Sequence, residues 1–247
     1  MTRLVADIVD HRLLRGQYGP FGFGNWGFEA SDRQSFLTLS ETSRHVTRTG
    51  DVFEFAEGSW RLEYQTIPDP DHNLIRITAR LTALRDGILQ DGVIRLVFDK
   101  DAIDCGTLAG QTYRHRNTGR YRLFATRHVT LSGTGHQIDI TLDHADGAGR
   151  FDPYMYLRDE GDLWIVHARM LPSAPEDVIW LRWANRLFTV TAPEAVARFL
   201  WQNRVGKALL WRLRERWGRH APEIQAVPLN ILRRGQSLQM EVTCRFR

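Results

Sequence analysis

Residues 73–84 read Asn73-Leu74-Ile75-Arg76-Ile77-Thr78-Ala79-Arg80-Leu81-Thr82-Ala83-Leu84. Ile75, Ile77, Ala79, Leu81 and Ala83 fall on one side of a period of two, and Arg76, Thr78, Arg80 and Thr82 on the other. Successive side chains of an extended backbone point to opposite faces, so this alternation marks a half-buried antiparallel strand. The same phase returns at 237–246, where Leu238, Met240, Val242, Cys244 and Phe246 alternate with Gln239, Glu241, Thr243 and Arg245.

Outward from these two segments, less regular strand candidates occupy 3–9, 36–40, 44–48, 51–56, 59–67, 92–98, 121–131, 136–142, 154–158, 162–171 and 178–190. Turn signals punctuate them: Thr49-Gly50-Asp51, Glu57-Gly58, Pro68-Asp69-Pro70-Asp71, Asp86-Gly87, Asp91-Gly92, Ser132-Gly133, Asp146-Gly147 and Glu160-Gly161-Asp162. Short strands spaced in this way predict an antiparallel two-sheet β-sandwich, or a related barrel. No strand–helix alternation supports a parallel sheet.

One segment departs from the β pattern. Thr191-Ala192-Pro193-Glu194 forms a capping box with Pro in the first turn, and Gly218 follows Trp217 as a stop. Val196, Phe199, Leu200, Leu210, Trp211, Leu213 and Trp217 make one apolar stripe, with Arg198, Arg212 and Arg216 on the other side. The reading is therefore a mainly β chain, one domain over 1–247, with a C-terminal amphipathic helix at 192–217 and a final strand at 237–246.

The 247 residues, 43% of them hydrophobic, are enough to bury a sizeable core. Two cysteines, Cys105 and Cys244, are too few for a disulfide framework or a cysteine-built zinc site. No apolar run is long enough to cross a bilayer as a helix, and Asp7 and Asp10 interrupt any signal-peptide core, so a soluble cytoplasmic protein is expected. The net charge of +4 is uneven: residues 191–247 carry 11 basic and 4 acidic side chains, against 22 and 25 elsewhere. That is a local basic patch, and with only Lys100 and Lys207 as lysines and no RNP-like aromatic motif, nucleic acid is not an expected partner.

Gly22-Phe23-Gly24-Asn25-Trp26-Gly27 matches G-x-G-x-x-G literally. A dinucleotide fingerprint needs a helix opening from its last glycine, and none follows, so the segment reads as an aromatic loop. No H-x-H, H-E-x-x-H, G-x-S-x-G or P-loop occurs, and Asp143 to Gly149 shares only its Asp-Gly with a calcium loop. Neither a metal nor a cofactor is expected.

The candidate chemistry lies on the strands. Read as one strand, 121–131 carries His128 on the same face as Arg122 and Phe124; Trp164 to Leu171 places Ile165, His167, Arg169 and Leu171 together; Trp180, Arg182 and Ala184 share one face of a further strand. If these faces line one concave sheet, histidine supplies proton transfer near neutral pH and arginine holds an anionic group bidentately. His128, His167, Glu63 and Tyr113 are the catalytic candidates, Glu63 or Asp139 supplying the carboxylate. Arg169, Arg182, His115 and the rings of Trp26 and Trp60 are the substrate-binding candidates. Such a set suits a hydrolase, lyase or epimerase acting on a polar or acidic sugar. The alternative is a non-enzymatic β protein that binds an apolar or amphiphilic small molecule, with the Trp/Arg helix as its partner or membrane contact; no oligomeric state is indicated. The plainer reading is that these polar residues simply face water from half-exposed strands.

Overall fold

The computed structural model describes residues 2–9, 13–32, 36–39, 47–55, 58–119, 122–173, 177–184, 205 and 223–247. The elements among them are strands: β1 (Leu4–Ile8), β2 (Leu14–Tyr18), β3 (Phe21–Asp32), β4 (Phe36–Thr38), β5 (Thr47–Thr49), β6 (Val52–Phe55), β7 (Trp60–Asp69), β8 (Leu74–Ala83), β9 (Gly87–Asp99), β10 (Cys105–Leu108), β11 (Gln111–Arg114), β12 (Arg122–Phe124), β13 (His128–Gly133), β14 (His136–Asp146), β15 (Phe151–Glu160), β16 (Leu163–Pro172), β17 (Asp177–Ala184), β18 (Glu223–Leu232) and β19 (Ser237–Phe246).

They form two antiparallel sheets. Sheet A runs β1-β2-β3-β9-β16-β15-β12, and sheet B runs β11-β10-β13-β14-β19-β8-β7-β6-β5. In sheet A, β4 pairs with Glu29 to Ser31 of β3, beyond the stretch that β2 occupies. The opposite edge of β9 is shared: β16 takes Gly92 to Asp99, and β18, which carries β17, takes Gly87 to Leu89. The long β9 is thus the spine of sheet A.

The two alternating segments behave as read. On β8, Ile75, Ile77, Ala79, Leu81 and Ala83 are buried while Arg76 and Arg80 are exposed, and β19 buries Leu238 to Phe246 in the same phase. One apolar core joins the inner faces of both sheets, with Trp26, Phe28, Phe98 and Trp164 from sheet A meeting Trp60, Ile77, Met240 and Phe246 from sheet B. Phe23 packs 5.4 Å from Phe246, centroid to centroid, across the sheets.

Four expectations are corrected. The sequence predicts a C-terminal amphipathic helix in the fold; no helix is among the described elements, and 192–217 lies outside the described residues apart from Val205, so the helix is not shown and the described fold is two antiparallel sheets. The aromatic loop around Trp26 is strand β3, whose Phe21, Phe23, Trp26 and Phe28 point into the core. Asp91-Gly92 is not a turn but the middle of β9, where a Cβ on Gly92 would come within 3.1 Å of Leu238. Finally, 121–131 is not one strand. The chain leaves sheet A after Phe124, makes a Thr126 N–H to Phe124 carbonyl bond of 2.8 Å, and enters sheet B at His128.

Candidate functional site

The break at 125–127 decides where the candidate side chains go. His128 is exposed on the outer face of sheet B, 3.6 Å from Asp139, whereas His167 and Arg169 lie on the outer face of sheet A. The two histidines are on opposite sides of the stacked sheets and do not converge. Glu63 stands on the outer face of β7, also in sheet B. Arg182 is on β17, beside Gln225 of β18, and its side chain is outside the described residues.

The tryptophans expected to stack on a ring point inward. Trp26 is fully buried and donates Nε1–H to the Val97 carbonyl at 2.8 Å. Trp60 is buried beneath Gly87, where a Cβ would lie 2.5 Å from its ring. His115 is held at 3.0 Å by the Leu163 carbonyl and meets Trp164 edge-on at 5.2 Å. Tyr113 lies under the Arg122 guanidinium, 4.5 Å away, and donates its hydroxyl to Gln111 at 2.6 Å. Arg122 in turn pairs with buried Asp159 at 2.8 Å. Burial raises the Asp159 carboxyl's pKa, but donors from Thr118, Arg116 and Arg122 outweigh it and hold it at about 2. These bonds tie Arg116, Thr118 and Arg122 to β15.

The outer face of sheet A is different. The strand registers set Leu123, Tyr156, His167 and Arg95 in one row across β12, β15, β16 and β9. Tyr156 stacks on His167 with centroids 4.7 Å apart and planes 26° from parallel. Leu123, Tyr156, Ile165 and Leu171 form a second apolar cluster, separate from the main core, with Tyr154 against it. One row on, Arg169 donates Nε–H to Asp91 Oδ2 at 2.9 Å and an Nη2 hydrogen to the same oxygen. Arg95 lies 3.5 Å from Glu29, and Arg158 lies 2.7 Å from Glu160.

Among the described residues, the polar atoms buried on this face without a hydrogen-bond partner include His167 Nε2 and Asp91 Oδ1. Leaving such an atom unpaired costs about 1–3 kcal/mol, so a native structure that keeps one usually has a use for it. The imidazole is neutral. Burial first, then the positive charge of Arg169, Arg95 and Arg158, holds its pKa well below the ordinary histidine range. A neutral Nε2 donates or accepts according to tautomer, and the Asp91 oxygen accepts.

Two cavities indent the outer face of sheet B. One of about 190 Å³ is lined by Glu63, Gln65, Arg80, Gln239 and Glu241 among others, and one of about 350 Å³ by Thr49, Val52, Glu54, Arg61 and Glu63. Glu63 is common to both, but Arg61 is already paired to Glu54 at 2.9 Å, and neither cavity contains a histidine or an aromatic wall.

Tyr156, Asp91 and Arg95 were not among the sequence candidates. Tyr156 has the outward phase of its strand as a signal; Asp91 is hidden because Asp91-Gly92 resembles a turn. Among the described residues, no group of three or more His, Cys, Asp or Glu is placed to hold a metal, and no helix is long and apolar enough to cross a membrane.

No family model matches the chain, and no curated protein matches it. Among solved structures, the Slr1438 protein from Synechocystis sp. PCC 6803 is similar at 8% identity, with a TM-score of 0.45 over 100% of this chain and 95% of that one.

Proposed function

We propose that the protein binds a small hydroxyl-bearing molecule, a sugar or a similar amphiphile, on the outer face of sheet A. His167, Asp91 and Tyr156 touch the ligand in this reading, and Arg169 holds Asp91 in place. The observation that carries it is the pair of buried, unpartnered polar atoms, His167 Nε2 and Asp91 Oδ1, beside the Tyr156–Ile165–Leu171 apolar cluster. A sugar offers this combination, with hydroxyls on its rim and C–H groups on its face. Binding is favoured over turnover for a physical reason. A base serves best when its pKa lies near the working pH, and His167 is held far below. The carboxylate meant to complete an acid–base pair, Glu63, is on the other sheet.

Thermal unfolding against a panel of sugars, polyols and short-chain amphiphiles tests this. A ligand selective for the folded state at a hundredfold its Kd adds about 2.7 kcal/mol and raises Tm. The expected result is a rise with hydroxylated probes that His167→Phe and Tyr156→Leu abolish and Glu63→Gln leaves intact. A rise that depends on Glu63 and ignores His167 would move the site to sheet B and overturn the proposal.

A further inference from the structure

Resting on that reading, we infer that the site takes an electrically neutral ligand and rejects acidic and basic analogues of the same skeleton. The argument is one of charge balance on a buried surface. Among the described residues, three guanidinium groups face this region, and each has a carboxylate beside it: Arg169 with Asp91, Arg95 with Glu29, and Arg158 with Glu160. His167 adds none, because burial and those same arginines keep it neutral. Among the described residues, these three guanidinium charges are therefore matched before any ligand arrives.

An anion entering here meets Asp91 Oδ1, which can only accept hydrogen bonds and carries negative charge that no ligand carboxylate or phosphate can approach without repulsion. The guanidinium charges it could pair with are already matched by carboxylates of the chain, so little net attraction is left for it. An ammonium group would satisfy Asp91 Oδ1. It would then sit beside the Arg169 guanidinium that holds the other oxygen of the same carboxylate. Each arrangement leaves a surplus charge in a desolvated place, which is costly. Hydroxyl groups carry no such surplus: one donates to Asp91 Oδ1, and another donates to or accepts from His167 Nε2. Asp91 and the His167–Arg95 row are four positions apart along β9, about 13 Å at strand spacing. Disaccharides therefore belong among the probes with monosaccharides.

The test uses the full chain at pH 6.5, with glucose against glucuronate and glucosamine, and cellobiose against its C6-oxidised uronic acid. The expected result is that the neutral member of each set binds at least about tenfold more tightly, read by calorimetry or Tm shift. Asp91→Asn removes the negative charge, leaves Arg169 uncompensated and should turn the preference toward glucuronate. Because that variant strands a buried cation and risks misfolding, Asp91→Asn/Arg169→Gln removes both charges and should restore the neutral preference. Glucuronate binding to the wild type as tightly as glucose, with the response still lost in His167→Phe, would overturn neutrality and leave the site standing. An unchanged ranking in a folded Asp91→Asn would also overturn neutrality. A wild type that responds to no probe, or whose response survives His167→Phe, would overturn the site and this inference together.

Discussion

His167 gives the chain a pH dependence whose sign follows from its surroundings. The folded state keeps the imidazole neutral, burial being the largest cause, while the unfolded chain protonates it near its ordinary pKa of about 6.5. Above that value the contribution to stability is complete; below it the unfolded state binds a proton that the folded state refuses. Stability should then fall with decreasing pH, at up to about 1.4 kcal/mol per pH unit from this group. Denaturant midpoints measured from pH 7.5 to 5 should show His167→Phe flattening the slope, and an unchanged slope would mean the imidazole does not stay neutral. Asp159 acts at lower pH. Its hydrogen-bonded carboxylate stabilises above an unfolded value of about 3.9, and that contribution is lost as pH falls toward about 2. Asp159→Ala strands Arg122, which is 8% exposed, and should cost about 3–5 kcal/mol in chemical denaturation. At this scale the sequence was half legible. Alternation put His167 and Arg169 on one face of β16, but nothing local tells that Asp91 reaches Arg169 from 78 residues away.

At the scale of elements, turns and strands follow local chemistry until glycine misleads. Thr134-Gly135 closes the β13–β14 hairpin with both residues at positive φ, 49° and 78°. A two-residue turn of that kind favours Asn-Gly, and a β-branched residue is strained there. Thr134→Asn should raise stability by about 0.5–1 kcal/mol, a gain that a shift in Tm will report. Strands at 74–83 and 237–246 were legible because one face is apolar and the other polar. The segment 14–32 was not, because its glycines look like a loop. In the sheet they make room: a Cβ on Gly16 would lie 2.3 Å from the Val5 carbonyl and 2.5 Å from the Phe23 ring. Gly16→Ala should therefore destabilise by about 1–3 kcal/mol, and a neutral effect would mean β1 and β2 are not so close. The break at 125–127 escaped notice for another reason. Apolar alternation continues through it, and only pairing partners distant in sequence reveal that the chain changes sheets.

For the whole molecule, the path between sheets matters more than any single strand. Among the described strands, the chain passes from one sheet to the other seven times, so many strands are paired with or packed on partners far away in sequence. Topology of this sort folds slowly and all at once. In sheet B the constraint is sharper still. β19, which follows every other strand of its sheet in the sequence, lies between β14 and β8. During synthesis on the ribosome, the eight other strands of that sheet emerge as two halves with nothing between them, leaving β8 and β14 with open edges. Such edges recruit other chains. A nascent chain arrested before Ser237 should be protease-sensitive and held by chaperones, and one extended past Phe246 and clear of the exit tunnel should become resistant in a single step.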